Sequence, residues 1–568
     1  MWARSSAATH LPLLRPRGGV KTSAACGPAV DWPRTLLLAC VPSVGTFLFG
    51  WDLGQGPALL LQLCSEDMSG TTWWDMGRPV QLLIHNGAIL GALATSLALM
   101  ACGNRWGRRS ELVSSAVLYT ASSVASAAAG AAWWLAGCRL LYGLAVGLAL
   151  HAVPVYIAET VPAGVRGALI CLKEAALVAG LLAGFLLGLG CSLRPGSWRL
   201  ALLLPALPAC LMGLGCAWLP ESPRWLLLNS WQEGVMKVWL ESAGGVPVQL
   251  TPGYQAAWAA LLRARGAGDP QGGPARIQLL AAELSAVAVS VREASMAGST
   301  PLRLLAAPLY QRPLLAGLML MLLQQVTGQP AVMGYAAGIF RAVGFTQGRE
   351  QLVSVVRLVM TLVAAANVDV WGRRPLLLCG ASCMGLSLLA LAAAQLPQAQ
   401  VWAGGQLELG LASCAALLLY IAGFQVSFGP LAWVASGEMF PLAVRGAAVA
   451  AVNVAGTSAS LMVQALLTPL TYSVGSLATY ATFACISLGA VGLVYCLVPE
   501  LRGKTLEQVE TTWAPLPSMT AGGAGEWQSS ARSPLLNSVT EMSDEGESIC
   551  SESSLQLGWP LSMTVTQE

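Results

Sequence analysis

"GNRWGRRSEL" (103–112) and "VDVWGRRPLL" (368–377) share the run Trp-Gly-Arg-Arg, at 106–109 and again at 371–374. Each copy sits between long stretches that are almost free of charge. The first packs Arg105, Arg108 and Arg109 into a short turn, in a chain of 568 residues of which only 10% are charged. Ordinary soluble domains carry about 25%. The turn therefore reads as a loop between segments that do not meet water.

The surrounding composition agrees. Hydrophobic residues make up 55% of the chain, and stretches of ~20 apolar residues recur, each long enough to cross a ~30 Å hydrocarbon core. This pattern predicts an all-α membrane protein with twelve transmembrane helices. Six fall near 35–60, 79–101, 111–129, 133–158, 168–190 and 199–219. Six more fall near 311–341, 352–370, 375–394, 408–434, 446–470 and 477–498. The expected organisation is a tail at 1–33, a six-helix bundle at 34–219, a polar linker with short helices at 220–310, a second bundle at 311–499, and a tail at 500–568. Within the linker, "ELSAVAVSVREA" reads as an amphipathic helix. The Ser-, Gly- and Glu-rich tail is expected to be disordered. The basic N-terminal stretch lacks the apolar core of a cleavable signal.

Lys and Arg accumulate in cytoplasmic loops. With twelve spans, only Arg78, Arg194, Arg199, Arg341 and Arg349 fall on one side, and Arg139, Lys173 and Arg357 lie within spans. The other basic residues share the opposite side with both termini, which is therefore expected to be cytoplasmic.

Charge anchoring alone explains one Arg-rich turn but not its second copy. "AETVPAGVRGA" (158–168) matches "GEMFPLAVRGA" (437–447), and "PESPRW" (220–225) echoes "PELRGK" (499–504), both offset by 279 residues (158 to 437, 220 to 499). Three pairs in one order mark an internal duplication of six spans, the parallel-repeat architecture of major facilitator transporters.

With "GCRLLYGLAVG" (137–147), "PESPRWLL" (220–227), "QQVTGQP" (324–330), "GPLAWVASGEMFPLAVRG" (429–446) and "VPELRGKTLEQVE" (498–510), these motifs resemble the sugar porter family of the major facilitator superfamily, from about Arg34 to Gln508. The "TGQP" variant and Glu174 are most similar to class III facilitative glucose transporters. The resemblance implies two pseudo-symmetric six-helix bundles. It also implies a gate of ionic contacts at the cytoplasmic helix ends, drawn from Arg108, Arg109, Glu159, Arg166, Glu221, Asp369, Arg373, Arg374, Glu438 and Arg445. Arg–carboxylate pairs can be bidentate and directional, so such contacts would latch the outward-open state. Asn104 stands where the family pattern has Asp, which would loosen the N-terminal half of the latch.

Ionisable groups inside the hydrocarbon are functional candidates by default. Asp52 in span 1 and Arg139 in span 4 are natural partners. Proton-coupled members of the family are similar in having Asp at this place, so the resemblance assigns proton coupling to Asp52 and Arg139; a permanent structural ion pair is the alternative. Lys173 and Glu174 are expected to face different sides of span 5, with Lys173 reaching towards the cytoplasmic surface. Glu174 stands where relatives bind sugar through Gln. Arg357 suits either recognition of an anionic substrate or pairing with a carboxylate of its own half, and the residues do not choose between them. His85 and His151 read as packing residues.

A sugar needs amides and hydroxyls around its rim and an aromatic ring for its faces. The resemblance supplies Gln324, Gln325, Gln329, Asn453 and Glu174 as polar contacts, Trp433 as the stacking ring and Tyr335 as an outer gate. Gly328 and Pro330 are expected to break span 7. Pro330 and Ala331 stand where the family pattern carries Asn, and Gly456, Thr457 and Ser460 stand where it carries an Asn-Trp pair and a further Asn. A site built on hydrogen bonds loses discrimination when partners are missing, so the substrate is expected to be a hexose or a related polyol, with glucose itself in doubt.

No nucleophile–base constellation, phosphate loop or metal-ligand spacing stands out. No enzyme, cofactor, metal or nucleic-acid partner is expected. The fifteen cysteines are scattered through the spans and suggest packing, not disulfides. Three functions remain: a sugar or polyol transporter working as a monomer in the bilayer with protons as a candidate co-substrate, an uncoupled sugar uniporter, and a membrane sensor that keeps the fold without turnover. The compartment, plasma membrane or endomembrane, is left open.

Overall fold

In the computed structural model, the described residues are 30–102, 105–191, 194–232, 252–265, part of 280–291, 301–345, 349–396, 398, 405–467, 473–504 and 506–513. Residues 1–29 and 514–568, Asn104 and about half of the linker lie outside them. Helix dominates the described residues, and ten helical stretches are long and apolar enough to span a bilayer. Two further helical stretches complete twelve: Arg108–Ala127, and Pro308–Val326 continued by Gln329–Ala342.

In order, spans 1 to 5 are Trp32–Leu63, Arg78–Cys102, Arg108–Ala127, Ala132–Thr160 and Arg166–Cys191. Span 6 is Trp198–Leu203 with Ala206–Trp218. Span 7 is the broken pair above. Spans 8 and 9 are Arg349–Trp371 and Arg373–Ala393. Span 10 is Gln406–Val426 with Phe428–Met439. Span 11 is Arg445–Met462 ending in a π-turn, Val463–Leu467, and span 12 is Ser476–Leu497. Span 3 is unusually polar for a membrane helix, but Ser115, Ser122, Ser123 and Ser126 all point inward and are buried.

Close backbone approach builds the N-terminal bundle. A Cβ at Gly50 or Gly54 would overlap the carbonyl of Leu177 or Leu181, and one at Gly180 or Gly184 would overlap the carbonyl of Phe47 or Trp51. These are reciprocal small-xxx-small stripes, through which helices in lipid gain contact without a hydrophobic driving force. Between the halves, span 2 runs along span 11 and span 5 along span 8.

The break in span 7 falls where the residues predict it. Gly328 is left-handed (φ 91°), with the Phe483 ring where a Cβ would sit. Pro330 lies in the first turn of the second helix. Tyr420 Oη donates to the freed Thr327 carbonyl at 3.1 Å, which satisfies one of the groups that a broken helix leaves open.

Below span 6, the helices Pro223–Gln232 and Pro252–Arg265 pack with residues of the amphipathic stretch. Leu280, Leu284, Val287 and Val291 are buried against Leu227, Leu228, Tyr254 and Leu261, in the helical spacing expected of an amphipathic face. Arg265 pairs with Glu283 at 2.9 Å. Among the described residues the thirteen cysteines are free, and no cluster suited to a metal occurs.

Candidate functional site

A cavity of about 320 Å³ lies between the two halves, at the small end of the ~300–1,000 Å³ typical of small-molecule sites. Phe49, Leu53, Glu174, Leu177 and Leu181 line it from the N-terminal half. Gln324, Gln325, Gln329, Arg357, Phe424, Trp433, Asn453, Gly456, Thr457 and Ser460 line it from the other. The break at Gly328 is what aims Gln324, Gln325 and Gln329 into one space from two helices. The positions expected to lack the family's amides, Gly456, Thr457 and Ser460, do face the cavity. Tyr335 lies elsewhere, edge-on to Tyr480 with ring centroids 5.5 Å apart.

The polar groups here differ in how free they are. Gln324 Nε2 donates to the carbonyls of Phe428 and Gly429 at 2.9 and 3.1 Å. Its amide is committed to holding the span 10 break, next to Ser427. Asn453 is 2% exposed, and neither its amide oxygen nor its nitrogen has a hydrogen-bond partner. A buried amide left in that state costs ~1–3 kcal/mol, which a ligand would recover.

Two expectations about charge need correction. Lys173 does not reach towards the surface or point away from Glu174. It is fully buried, its ammonium lies 3.7 Å from the centre of the Trp433 ring, and it lies 3.7 Å from Glu174 Oε2. Its flexible stem folds back because Trp433 offers a cation–π surface inside the protein. His85 is exposed on the flank of span 2, in a recess with Arg78 and Gln81, and is not a packing residue.

Asp52 and Arg139 meet as the residues predict. The guanidinium grips the carboxylate through both nitrogens, with Nη2 to Oδ2 at 2.8 Å, and Nε donates to the Ile84 carbonyl at 3.2 Å. Both side chains are about 3% exposed. The pair lies wholly within the N-terminal half.

A second cavity, a vestibule of about 730 Å³, is lined by Gly54, Pro57 and Leu61 of span 1, by Phe185, Gly188 and Leu189 of span 5, and by Met333, Glu350 and Gln351. The two Arg-rich turns lie at the opposite end of the spans. Within each half, the arrangement repeats. Arg108 Nε lies 3.6 Å from Glu159, and Arg373 pairs with Glu438 at 3.0 Å. Arg109 N donates to Glu221 at 3.0 Å, and Arg374 N to Glu500 at 3.1 Å. Burial pushes the Glu221 carboxyl up from its ordinary range.

Among the described residues, contacts cross between the halves at this end. Arg445 Nη1 reaches Glu159 Oε1 at 3.4 Å. The backbone N–H of Ala168 donates to Asp369 Oδ2 at 2.8 Å. His151 bridges Glu111 Oε2, at 2.7 Å, and the Gly446 carbonyl, at 3.1 Å. The role of Glu111 was not foreseen; its place one turn after Arg108 was the available signal, and the two side chains lie 3.6 Å apart. Arg166 is buried at the same end. Ser222 Oγ and Arg224, also unforeseen, hold Glu159 from span 6's continuation, at 2.6 Å to the carboxylate and 3.0 Å to the backbone carbonyl.

Comparison with known proteins places this geometry. The profile of the family described as "Sugar (and other) transporter" matches residues 38–513. The chain is 36% identical over 492 residues to the D-xylose-proton symporter-like 3, chloroplastic, of Arabidopsis thaliana, covering 85% of this chain and 83% of the relative. It is 27% identical over 496 residues to the galactose-proton symporter of Escherichia coli K12, covering 84% and 94%. Among solved structures, the proton:xylose symporter XylE bound to 6-bromo-6-deoxy-D-glucose superposes with a TM-score of 0.70 at 24% identity, over 85% of this chain and 100% of that one. The inward-open conformation of XylE from E. coli gives 0.53 at 25% identity, over 84% and 100%. With its duplicated six-span halves and the profile match across almost all of the spans, the chain belongs to the sugar transporter family.

Proposed function

We propose that the protein is a secondary transporter that moves a hexose or related polyol across a membrane by alternating access, with proton coupling through Asp52 and Arg139. The observation that carries this reading is the central cavity: lined from both halves and holding the unpartnered Asn453 amide, with a vestibule along spans 1 and 5 and inter-half contacts at the Arg-rich end. In this state the Arg-rich end faces the cytoplasm with both termini, and the vestibule faces outward. Opening inward has to break the Glu159–Arg445, Asp369–Ala168 and His151–Gly446 contacts. Surface ion pairs contribute little, but the Glu159–Arg445 and His151–Gly446 contacts are buried, and a few kcal/mol suffices to set a two-state balance.

The names of the relatives support a sugar substrate and proton coupling, since those compared include xylose–proton and galactose–proton symporters. Protonation of Asp52 would release Arg139 from its bidentate grip, and the Arg139 side chain would then reorganise with the N-terminal bundle. Full-length protein in proteoliposomes, scanned with labelled hexoses and polyols with and without an inward proton gradient, tests the reading. Saturable uptake that the gradient accelerates supports it. Saturable uptake indifferent to the gradient leaves a uniporter, and folded protein that takes up none of these solutes counts against hexose and polyol transport and favours the sensor.

A further inference from the structure

The ionisable groups in the cavity wall and directly behind it do not balance. Glu174 and Arg357 line it from opposite halves, and the Lys173 ammonium lies against Glu174 and under Trp433. That is two cations and one carboxylate. Asp52 offers no compensation, because Arg139 holds both of its oxygens. Glu174 is already approached by Lys173, at 3.7 Å. Among the described residues, the Arg357 guanidinium makes no hydrogen bond; the Thr361 hydroxyl donates to its backbone carbonyl at 2.8 Å.

An excess cation in a low-dielectric site is costly unless an anion joins it. A guanidinium presents five donors in a planar fork that matches a carboxylate. The rest of the wall suits a polyol: amides at Gln325, Gln329 and Asn453, hydroxyls at Thr457 and Ser460, and the Trp433 ring. The Asn453 amide, buried and without partners, is an independent sign that the wall awaits a polar ligand.

We infer that the preferred substrate is a sugar acid, a monosaccharide-sized polyol carrying one carboxylate, with Arg357 as the residue that recognises the charge. One negative charge brings the cavity to neutrality; a doubly charged sugar phosphate would overshoot. Lys173 is not the recognition group, since it is fully buried behind the Trp433 ring and does not line the cavity. Glu174 instead sets the count at one, and its own acceptor oxygen faces the hydroxyls. This inference rests on the cavity being a sugar site, and it names the charge of the sugar that fits.

The test is competition binding to full-length purified protein at neutral pH, with labelled D-galacturonate and D-glucuronate measured against D-galactose, D-glucose and glucose 6-phosphate. The uronates are expected to bind at least tenfold tighter than their neutral parents. Arg357→Gln should reverse that order, weakening the uronates at least tenfold and tightening the neutral sugars. Arg357→Lys, which keeps the charge, should preserve the order, and an unchanged melting profile for both variants separates recognition from folding. Neutral sugars binding as tightly as uronates, with a ratio that Arg357→Gln leaves alone, would overturn the inference and leave the sugar site standing. Preference for the sugar phosphate would overturn the single-charge argument. Folded protein that binds neither acids nor neutral sugars would overturn the sugar site itself.

Discussion

Replacing Glu159 with glutamine removes one negative charge and almost no volume. In the closed arrangement this carboxylate meets Arg445 of the other half at 3.4 Å, Arg108 of its own half at 3.6 Å and the Ser222 hydroxyl at 2.6 Å. Only the Arg445 contact crosses between halves, so only it depends on the transport state. Arg445 stays in place without it, because Nε and Nη2 also donate to the Phe440 carbonyl at 3.1 and 3.0 Å. A hydrogen bond to a charged group contributes ~1.5–3 kcal/mol. Taking about 2 kcal/mol for the loss, the balance between outward-open and inward-open forms moves about 30-fold towards inward-open. From a resting ratio of about 100:1, the inward form would rise to about a quarter of the population. Hydrogen-exchange mass spectrometry reads this without labels. Peptides over 158–170 and 437–447 should exchange faster in Glu159→Gln, and peptides over 54–63 and 180–191, which wall the vestibule, should exchange more slowly. Equal exchange at both ends in a folded variant would refute the reasoning, and faster exchange at both ends would indicate loosening instead of a shift.

Asp52→Asn should abolish gradient-driven accumulation while sparing sugar exchange across the liposome membrane, because Asn keeps one acceptor for Arg139 but takes no proton; accumulation that survives would place coupling elsewhere. Asn453→Leu should stabilise the protein by ~1–2 kcal/mol in thermal unfolding, since it removes a buried amide with no partners, yet lower sugar uptake at least tenfold; a destabilised variant would mean that the amide is satisfied in the resting protein. Glu221 has its carboxyl raised by burial, so the folded protein holds a proton there that the unfolded chain has released. Stability should therefore fall as pH rises from the ordinary carboxylate value through the raised one, and Glu221→Gln should flatten that slope in melting curves recorded across pH.

Much of the architecture could be read from hydropathy and from repetition. Span 3 is the instructive case: its serines depress hydropathy below that of its neighbours, and the second Arg-rich turn, with the duplication it marks, secures it as a membrane helix. The break at Gly328 was visible because a left-handed glycine before a proline has few other uses. The break before Ala206 had a comparable proline, Pro205, and was passed over. What the residues did not reveal depends on contacts distant in sequence. Neighbouring residues on a helix point about 100° apart, so Lys173 and Glu174 read as facing opposite ways. The partner that turns Lys173 inward, Trp433, lies on another span in the other half. For the same reason His151 read as packing, although its ring links Glu111 to the backbone at Gly446. The resemblance offers Gln324 as a sugar ligand and it does line the cavity, but that its amide nitrogen also donates to two carbonyls of span 10 is not legible from its own span.

A map of the full-length protein determined with its transported sugar bound tests the central idea most directly, namely that the two halves close around one shared site. The structure predicts ligand density between Gln325, Gln329, Trp433 and Asn453, with a polar atom in hydrogen-bond reach of the Asn453 amide and the Arg-rich end still shut. Density confined to the vestibule or to the lipid-facing surface, with the central cavity empty while uptake is saturable, would contradict it.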